Sequence, residues 1–387
     1  MAGRKWLLLG FSLVVYGTTL VAEALVTPSR LAVQRHKASR CSTSLTATNT
    51  DTSNDRTLGL AVLLTVPLAW GTYTPVVKGL YALNPPVPGF VFSAAYYAIA
   101  AVTLWVLVVG TTNNKDFDAT RDTSTTTTSL QLQGGLELGG YLFLGNALQV
   151  LGLQTVPADR AGFLVQLTTV LVPLLEAFTQ QRAVPSSTWA ACLLAMGGVV
   201  VMEDFRGGSD STLFTGDGFI LLAALVYSLH VVRLSTYATQ IPPLVLAASK
   251  ATVEAILSIG LVVGLVFLGS SSSTADVGFV TTTGGEIVTF LHAFSTQLQT
   301  SGLTPDLYPA LGAVFWTGWI TCAYTIFAQS FGQRRVAATE ANLIYTVQPL
   351  CTALVAYLLL GETLGPSGIL GGAMISAAVY SVAVRTD

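Results

Sequence analysis

The sequence predicts an all-α membrane protein: ten transmembrane helices forming two inverted five-helix repeats. Three observations predict it. The 387 residues are 52% hydrophobic and only 10% charged, against ~25% charged in an ordinary soluble domain, and mean hydropathy is +0.64. Ten apolar segments succeed one another between Leu58 and Val384, most near the ~20 residues that cross a bilayer as helix. The chain also matches itself when shifted by 180 residues.

The first 57 residues precede the spans. Met1–Val26 carries Arg4 and Lys5, a short apolar run Trp6–Tyr16 and then Ala22-Glu23-Ala24, the order of parts in a secretory signal peptide. An extra transmembrane helix is the alternative, against which the short run argues. Residues 27–57 read as a transit-like or disordered leader: up to Thr50 they hold Arg30, Arg35, Lys37 and Arg40, much Ser and Thr, and no acid. The two parts together resemble the leader of proteins sent to complex plastids, here to the envelope. A plasma-membrane or endomembrane location is the alternative.

The first repeat is expected over 58–203, with spans Leu58–Tyr81, Gly89–Gly110, Leu136–Leu153, Ala158–Gln180 and Thr188–Met202. The second is expected over 216–385, with spans Gly218–Ala238, Leu244–Leu268, Leu307–Phe331, Ala338–Leu360 and Gly365–Val384. Residues 111–133 and 269–306 are low-complexity, rich in Thr, Ser, Asn or Gly, and are expected to be loose loops, with a short interfacial element at Phe290–Phe294 in the second.

Under the shift of 180, Gln149 meets Gln329, Gly152 meets Gly332, Ala158 meets Ala338 and Ser187 meets Ser367, without a gap over about 55 residues. The earlier helices correspond at other offsets, so that Trp70 answers Tyr227. An odd number of helices per copy makes the copies enter the membrane from opposite sides, as in secondary transporters with a site at the midplane. With the mature N-terminus inside, the inner segments carry Arg56, Lys115, Arg121, Arg182, Arg233, Arg334, Arg335 and Arg385, and the outer ones Arg160, Arg206 and Lys78. The 38-residue stretch 269–306, placed outside, has no Lys or Arg, in keeping with the positive-inside rule. Pro173 and Pro349 fall four residues apart after the shift, so the two matching helices are expected to break at different depths.

The segment ANLIYTVQPLCTALVAYLLLGETLGPSGILGGAMISAAVY, with the first-half stretch LGNALQVLGLQTVPADRAGFLVQLTTVLVPLLEAF, resembles the EamA domain of the drug/metabolite transporter superfamily, in its plant and algal form. The first copy lacks the Gly361-Glu362 pair of the second. The resemblance covers about Leu58–Val384 and implies two EamA repeats that move a small metabolite by alternating access. It implies no particular substrate; a nucleotide-sugar or sugar-phosphate exchanger is the alternative, and a membrane sensor or assembly factor on the same fold is the rival from another class.

Ionisable side chains within spans are costly and point to function. Lys250 and Glu254, four apart on one helix face, can pair or reach into the cavity. Tyr96 or Tyr97 occupies the matching place in the first half. Tyr345 and Gln348 near Pro349, Trp70 beside Gly71, and Gln166 complete the expected substrate cavity. Glu176 and His230 are candidates for proton coupling. Gln149, Gln329 and Asn342 serve either the cavity or hydrogen bonding between helices. Gly368, Gly372 and Ser376 make a small-residue face for internal packing or for a homodimer.

Other chemistries find little support. No facing membrane Asp pair, HExxH or nucleophile–His pair suggests an enzyme, and no catalytic residue is expected. His36, His230 and His292 have no metal-ligand spacing, so neither metal nor cofactor is expected. The formal charge of −2 offers nothing to nucleic acid. The expected partners are a small-molecule substrate and the lipid bilayer.

Overall fold

The computed structural model describes residues 47–73, 76, 80, 87–112, 125–152, 164–180, 184–202, 213–271, 279–301, 308–360 and 365–383. Among them there is helix and no strand. In chain order the helices are α1 (Ala47–Gly71), α2 (Gly89–Thr112), α3 (Thr125–Gly152), α4 (Thr168–Gln180), α5 (Ser186–Met202), α6 (Leu213–Ala238), α7 (Pro243–Ser271) and α8 (Phe279–Ser301). A single rod follows: α9 (Tyr308–Trp316), a π-helical stretch Thr317–Tyr324 and α10 (Thr325–Gln333). The last three are α11 (Ala338–Tyr345), α12 (Gln348–Leu360) and α13 (Pro366–Ala383).

Gly89–Thr111, Gly216–Ala238, Pro243–Leu268 and Tyr308–Gln333 are each long and apolar enough to cross a bilayer. Val106, Phe178, Phe267 and Ile369 are exposed, which suits hydrocarbon and would be a liability in water. The chain is an integral membrane protein. In lipid the attraction between helices comes from close packing rather than from escape from water, and the contacts show it. Alanines 247, 248, 251 and 255 of α7 let it approach the rings of Phe92, Tyr96 and Tyr97 on α2. Leu63 and Val66 of α1 pack with Ala328, Ala338, Ala341 and Ile344. Between α5 and α13 the approach is backbone to backbone: a Cβ on Gly198 would lie 2.7 Å from the Gly371 carbonyl oxygen. Gly372 faces Leu350 of α12, so this part of the small-residue face is used inside the molecule.

Ion pairs gather at the end where α1, α3 and α11 begin and where α6 and α10 finish. Arg233 grips Glu137 through two nitrogens, at 2.5 and 2.9 Å, and Tyr237 donates to the same carboxylate at 2.6 Å. Arg56 reaches Glu340 at 3.1 Å, and Arg335 lies 3.8 Å from Asp55 and over the Phe331 ring. Burial pushes the Arg335 guanidinium below its ordinary pKa, and Asp55 pulls the other way.

Four sequence expectations need correcting. Helix α1 starts at Ala47, so 47–57 is helical rather than disordered; Asp55 and Arg56 are held by the ion pairs just named. Residues 1–46 lie outside the described residues. Helix α3 starts at Thr125, inside the stretch read as a loose loop. The second such stretch contains α8, which buries Ile287 against Phe90 of α2 and Leu265 of α7. Finally, the two interrupted helices break in register. Each has a two-residue turn, at Gln166–Leu167 and at Thr346–Val347, followed by α4 at Thr168 and α12 at Gln348, 180 residues apart. Pro173 sits within α4 without ending it.

Candidate functional site

The π-helical stretch is where the rod departs from ordinary helix, and its departure shapes a cavity. An i to i−5 ladder widens the turn. Along it the Thr321 hydroxyl donates to the Thr317 carbonyl at 2.8 Å, and Thr325 to Thr321 at 2.7 Å. Gly318 lets α2 come close, since a Cβ there would meet Ile99 at 2.8 Å. Thr317, Thr321, Cys322 and Thr325 thereby line a cavity of about 260 Å³.

The opposing walls come from nine other elements. Trp70 of α1 and nearby Tyr73 form one, with Tyr96 and Tyr97 of α2. Helix α3 adds Leu142, Asn146, Gln149 and Val150; Val165, Gln166 and Thr168 come from the first interrupted helix. Helix α6 brings Tyr227, His230 and Val231, and α7 brings Glu254. Helices α10, α11 and α12 complete it with Ile326, Gln329, Asn342, Tyr345 and Gln348. Trp70 meets Tyr345 edge-on at 5.2 Å, and Tyr96 and Tyr97 lie 4.3 Å apart between ring centres. Tyr227 donates to Gln149 at 2.9 Å, and Gln333 to the Tyr345 hydroxyl at 3.4 Å. Five pairs of lining residues are 180 apart in sequence: Leu142 and Cys322, Asn146 and Ile326, Gln149 and Gln329, Val165 and Tyr345, Thr168 and Gln348.

Of the residues singled out in the sequence, Trp70, Tyr96, Gln166, His230, Glu254, Tyr345 and Gln348 border this one cavity. Two stand elsewhere. Lys250 is wholly buried and lies one turn from Glu254, behind the described lining rather than in it. Its Nζ has no hydrogen-bond partner, and no ion pair joins it to Glu254 among the described residues. The Cβ position of Gly139 lies 2.6 Å from the Lys250 carbonyl, so α3 presses on α7 at that turn.

Glu176 is the other. Its Oε2 accepts from the backbone N–H of Thr339 at 2.9 Å and from the Thr339 hydroxyl. The N-cap residue of α11 is Ala337, which has no side chain to cap with, so α4 lends a carboxylate to that helix start. These bonds tie Glu176 to the start of α11. Glu176→Ala is expected to lower unfolding free energy by ~1.5–3 kcal/mol, the range for a hydrogen bond to a charged group, with the pH profile of flux unchanged. Thermal unfolding and flux against pH check it; a shifted pH profile would return Glu176 to the coupling role.

Three lining groups are buried without a hydrogen-bond partner among the described residues: His230 Nε2, Glu254 Oε2 and Thr317 Oγ1. Among the site residues that sequence reasoning missed are the π-helical threonines, Asn146, Tyr73, Thr168 and Tyr227. The spacing Thr317, Thr321, Thr325 is a readable polar stripe in an apolar span, though nothing in it announces π geometry.

No family model matches the chain. A protein of Archaeoglobus fulgidus named "Uncharacterized transporter" is 25% identical over 329 residues, covering 85% of this chain and 85% of that protein. A second protein of that organism and name is 33% identical over 91 residues, 22% of this chain and 34% of its own length. One solved crystal structure superposes with a TM-score of 0.59 at 18% identity, over 84% of this chain and 96% of the other; likeness at that identity concerns the fold alone. The relatives and the membrane-spanning helices support a transporter.

Proposed function

We propose that the protein moves a small metabolite across a membrane by alternating access through this cavity, which lies between two inverted five-helix EamA repeats of the drug/metabolite transporter type. The repeats are 58–203 and 216–385. The observation that carries the reading is the set of five lining pairs 180 residues apart. A wall built from matching positions of two copies is what a site on a pseudo-twofold axis requires. The breaks before α4 and α12 fall in register, and discontinuous helices at the midplane are a feature of such sites.

Size favours a small cargo. About 260 Å³ is under the ~300–1,000 Å³ of drug-sized pockets, which makes a nucleotide sugar a poor fit. Convergent Lys or Arg suited to a sugar phosphate is absent among the described lining residues. The partners in this reading are the substrate and the bilayer.

Purified protein in liposomes, screened for uptake of small metabolites with and without a pH gradient, tests the proposal. Saturable flux that cavity substitutions abolish is expected. No flux of any solute, with a cellular phenotype that survives the same substitutions, would favour a sensor or assembly factor instead.

A further inference from the structure

We infer that Glu137, Arg233 and Tyr237 form a one-sided latch: they hold the two halves together at the end where α1 begins, so that the unloaded protein rests with its cavity facing the other side of the membrane. The latch rests on the transport reading above and concerns its conformational cycle. Three ion pairs between described residues each join a helix of the first half to one of the second, and all lie at that end. Arg233 of α6 meets Glu137 of α3, Arg56 of α1 meets Glu340 of α11, and Asp55 of α1 meets Arg335 at the close of α10. The Glu137 carboxylate takes two guanidinium nitrogens, at 2.5 and 2.9 Å, and the Tyr237 hydroxyl at 2.6 Å. Bidentate geometry within a network is the case in which a partly exposed ion pair carries weight.

The matching place at the other end carries no charge. Under the shift of 180, Glu137 answers to Thr317; at the spacing that relates Trp70 to Tyr227, Arg233 answers to Val76 and Tyr237 to Leu80. Val76 and Leu80 are buried, and the Thr317 hydroxyl has no hydrogen-bond partner among the described residues. A neutral bond joins the halves there, from Trp316 Nε1 to Thr72 Oγ1 at 2.8 Å. The cavity follows the same asymmetry. Thr317 and Thr321 border it and their counterparts Glu137 and Tyr141 do not; Val150 borders it and its counterpart Ser330 does not. Thr317 and Val150 lie toward the end away from the start of α1, and Glu137 and Ser330 toward it. Alternation between inverted repeats exchanges the roles of the two ends. Opening at the α1 end must part Glu137 from Arg233 and forfeit their charge-assisted bonds, whereas opening at the other end parts no ion pair between described residues. The equilibrium between the two facing states is tilted accordingly.

Cys322 borders the cavity and serves as the reporter. Full-length protein in sealed vesicles is treated from one face or the other with the membrane-impermeant thiol reagent methanethiosulfonate ethylsulfonate, and modification of Cys322 is followed by peptide mass mapping. A cysteine in place of Arg334, which is exposed at the α1 end, identifies that face in a parallel sample. In the unaltered protein Cys322 is expected to react from the opposite face, and at least about fivefold more slowly from the α1 face. Glu137→Gln and Arg233→Gln are each expected to raise the rate from the α1 face about fivefold, the scale set by one well-formed, partly exposed ion pair, and to lower it from the other. The charge exchange Glu137→Arg/Arg233→Glu is expected to restore the original pattern. A pair that only stabilised the fold would lower the melting temperature and leave the reactive face unchanged. Tyr237→Phe, which removes one bond and keeps both charges, is expected to shift reactivity the same way by less, and it decides if the charge variants fail to fold. Unchanged sidedness in the variants overturns the latch, as does reaction of the unaltered protein equally from both faces or from neither. A shift in sidedness in a protein that carries no solute upholds the latch and overturns the transport reading; saturable transport with sidedness unmoved does the reverse.

Discussion

Lys250→Met is expected to abolish uptake into liposomes and to lower thermal stability, while Lys250→Met/Glu254→Gln recovers the stability and not the uptake. The reason is electrostatic. Both side chains are buried, at 0% and 1% exposure, one helical turn apart. Removing one partner of a buried contacting pair costs ~3–5 kcal/mol, because the remaining charge is left alone in a low dielectric. Here the two are not in contact, so a loss of about 2 kcal/mol is expected, and taking away the second charge removes its cause. Detergent-solubilised thermal unfolding gives the first quantity and radiolabelled uptake the second. Unaltered uptake in the single variant would take Lys250 out of the transport mechanism. A double variant no more stable than the single would mean that the two charges act independently.

Gly139→Ala is expected to destabilise the protein by ~1–3 kcal/mol, the cost of overpacking, whereas Gly140→Ala, one residue on, is expected to stabilise it by ~0.5–1 kcal/mol. The positions share a helix and a residue type but not an environment. At Gly139 a new methyl would sit 2.6 Å from the Lys250 carbonyl and 2.7 Å from Val253 Cβ. Backbone cannot swing aside as a flexible side chain does, so α3 and α7 must part. At Gly140 nothing lies within 4 Å, and alanine gains only its helix propensity. Because the clash falls on the turn that carries Lys250, Gly139→Ala is also expected to reduce uptake. Paired melting curves for the two variants are sufficient; similar shifts for both would show that α3 does not press on α7 as described.

Helical spans were legible because hydrocarbon leaves composition and length to decide them. Polar residues within spans were legible as a group for the same reason: Gln166, Gln348 and Glu254 are conspicuous in an apolar run, and the structure brings them to one cavity. Depth was not legible. The four-residue spacing of Lys250 and Glu254 places them on one face, but it does not say that Glu254 borders the space and Lys250 lies behind it. Nor could Glu176 reveal its partner, since Thr339 is distant in sequence and the bond depends on how α4 meets α11. Helix α8 was obscured by its Ser, Thr and Gly content. Its signal was spacing: Thr283 and Ile287, four apart, are both buried, and Phe290 stacks on Phe294 one turn on.

The in-register turns at Gln166–Leu167 and Thr346–Val347 have a consequence for amide exchange. Where the ladder breaks, N–H groups fall back on carbonyls three residues earlier, as Thr169 does to Gln166 at 2.9 Å and Val347 to Ile344 at 3.1 Å. Such bonds open at lower free energy than the core of a continuous helix. Gln166 and Gln348 beside these turns line the cavity, which gives deuterium a route to them. Each turn is then a built-in reporter of cavity hydration, one in each half. Thr169 and Thr346 join them through their hydroxyls at 3.1 Å, so the two reporters sit side by side.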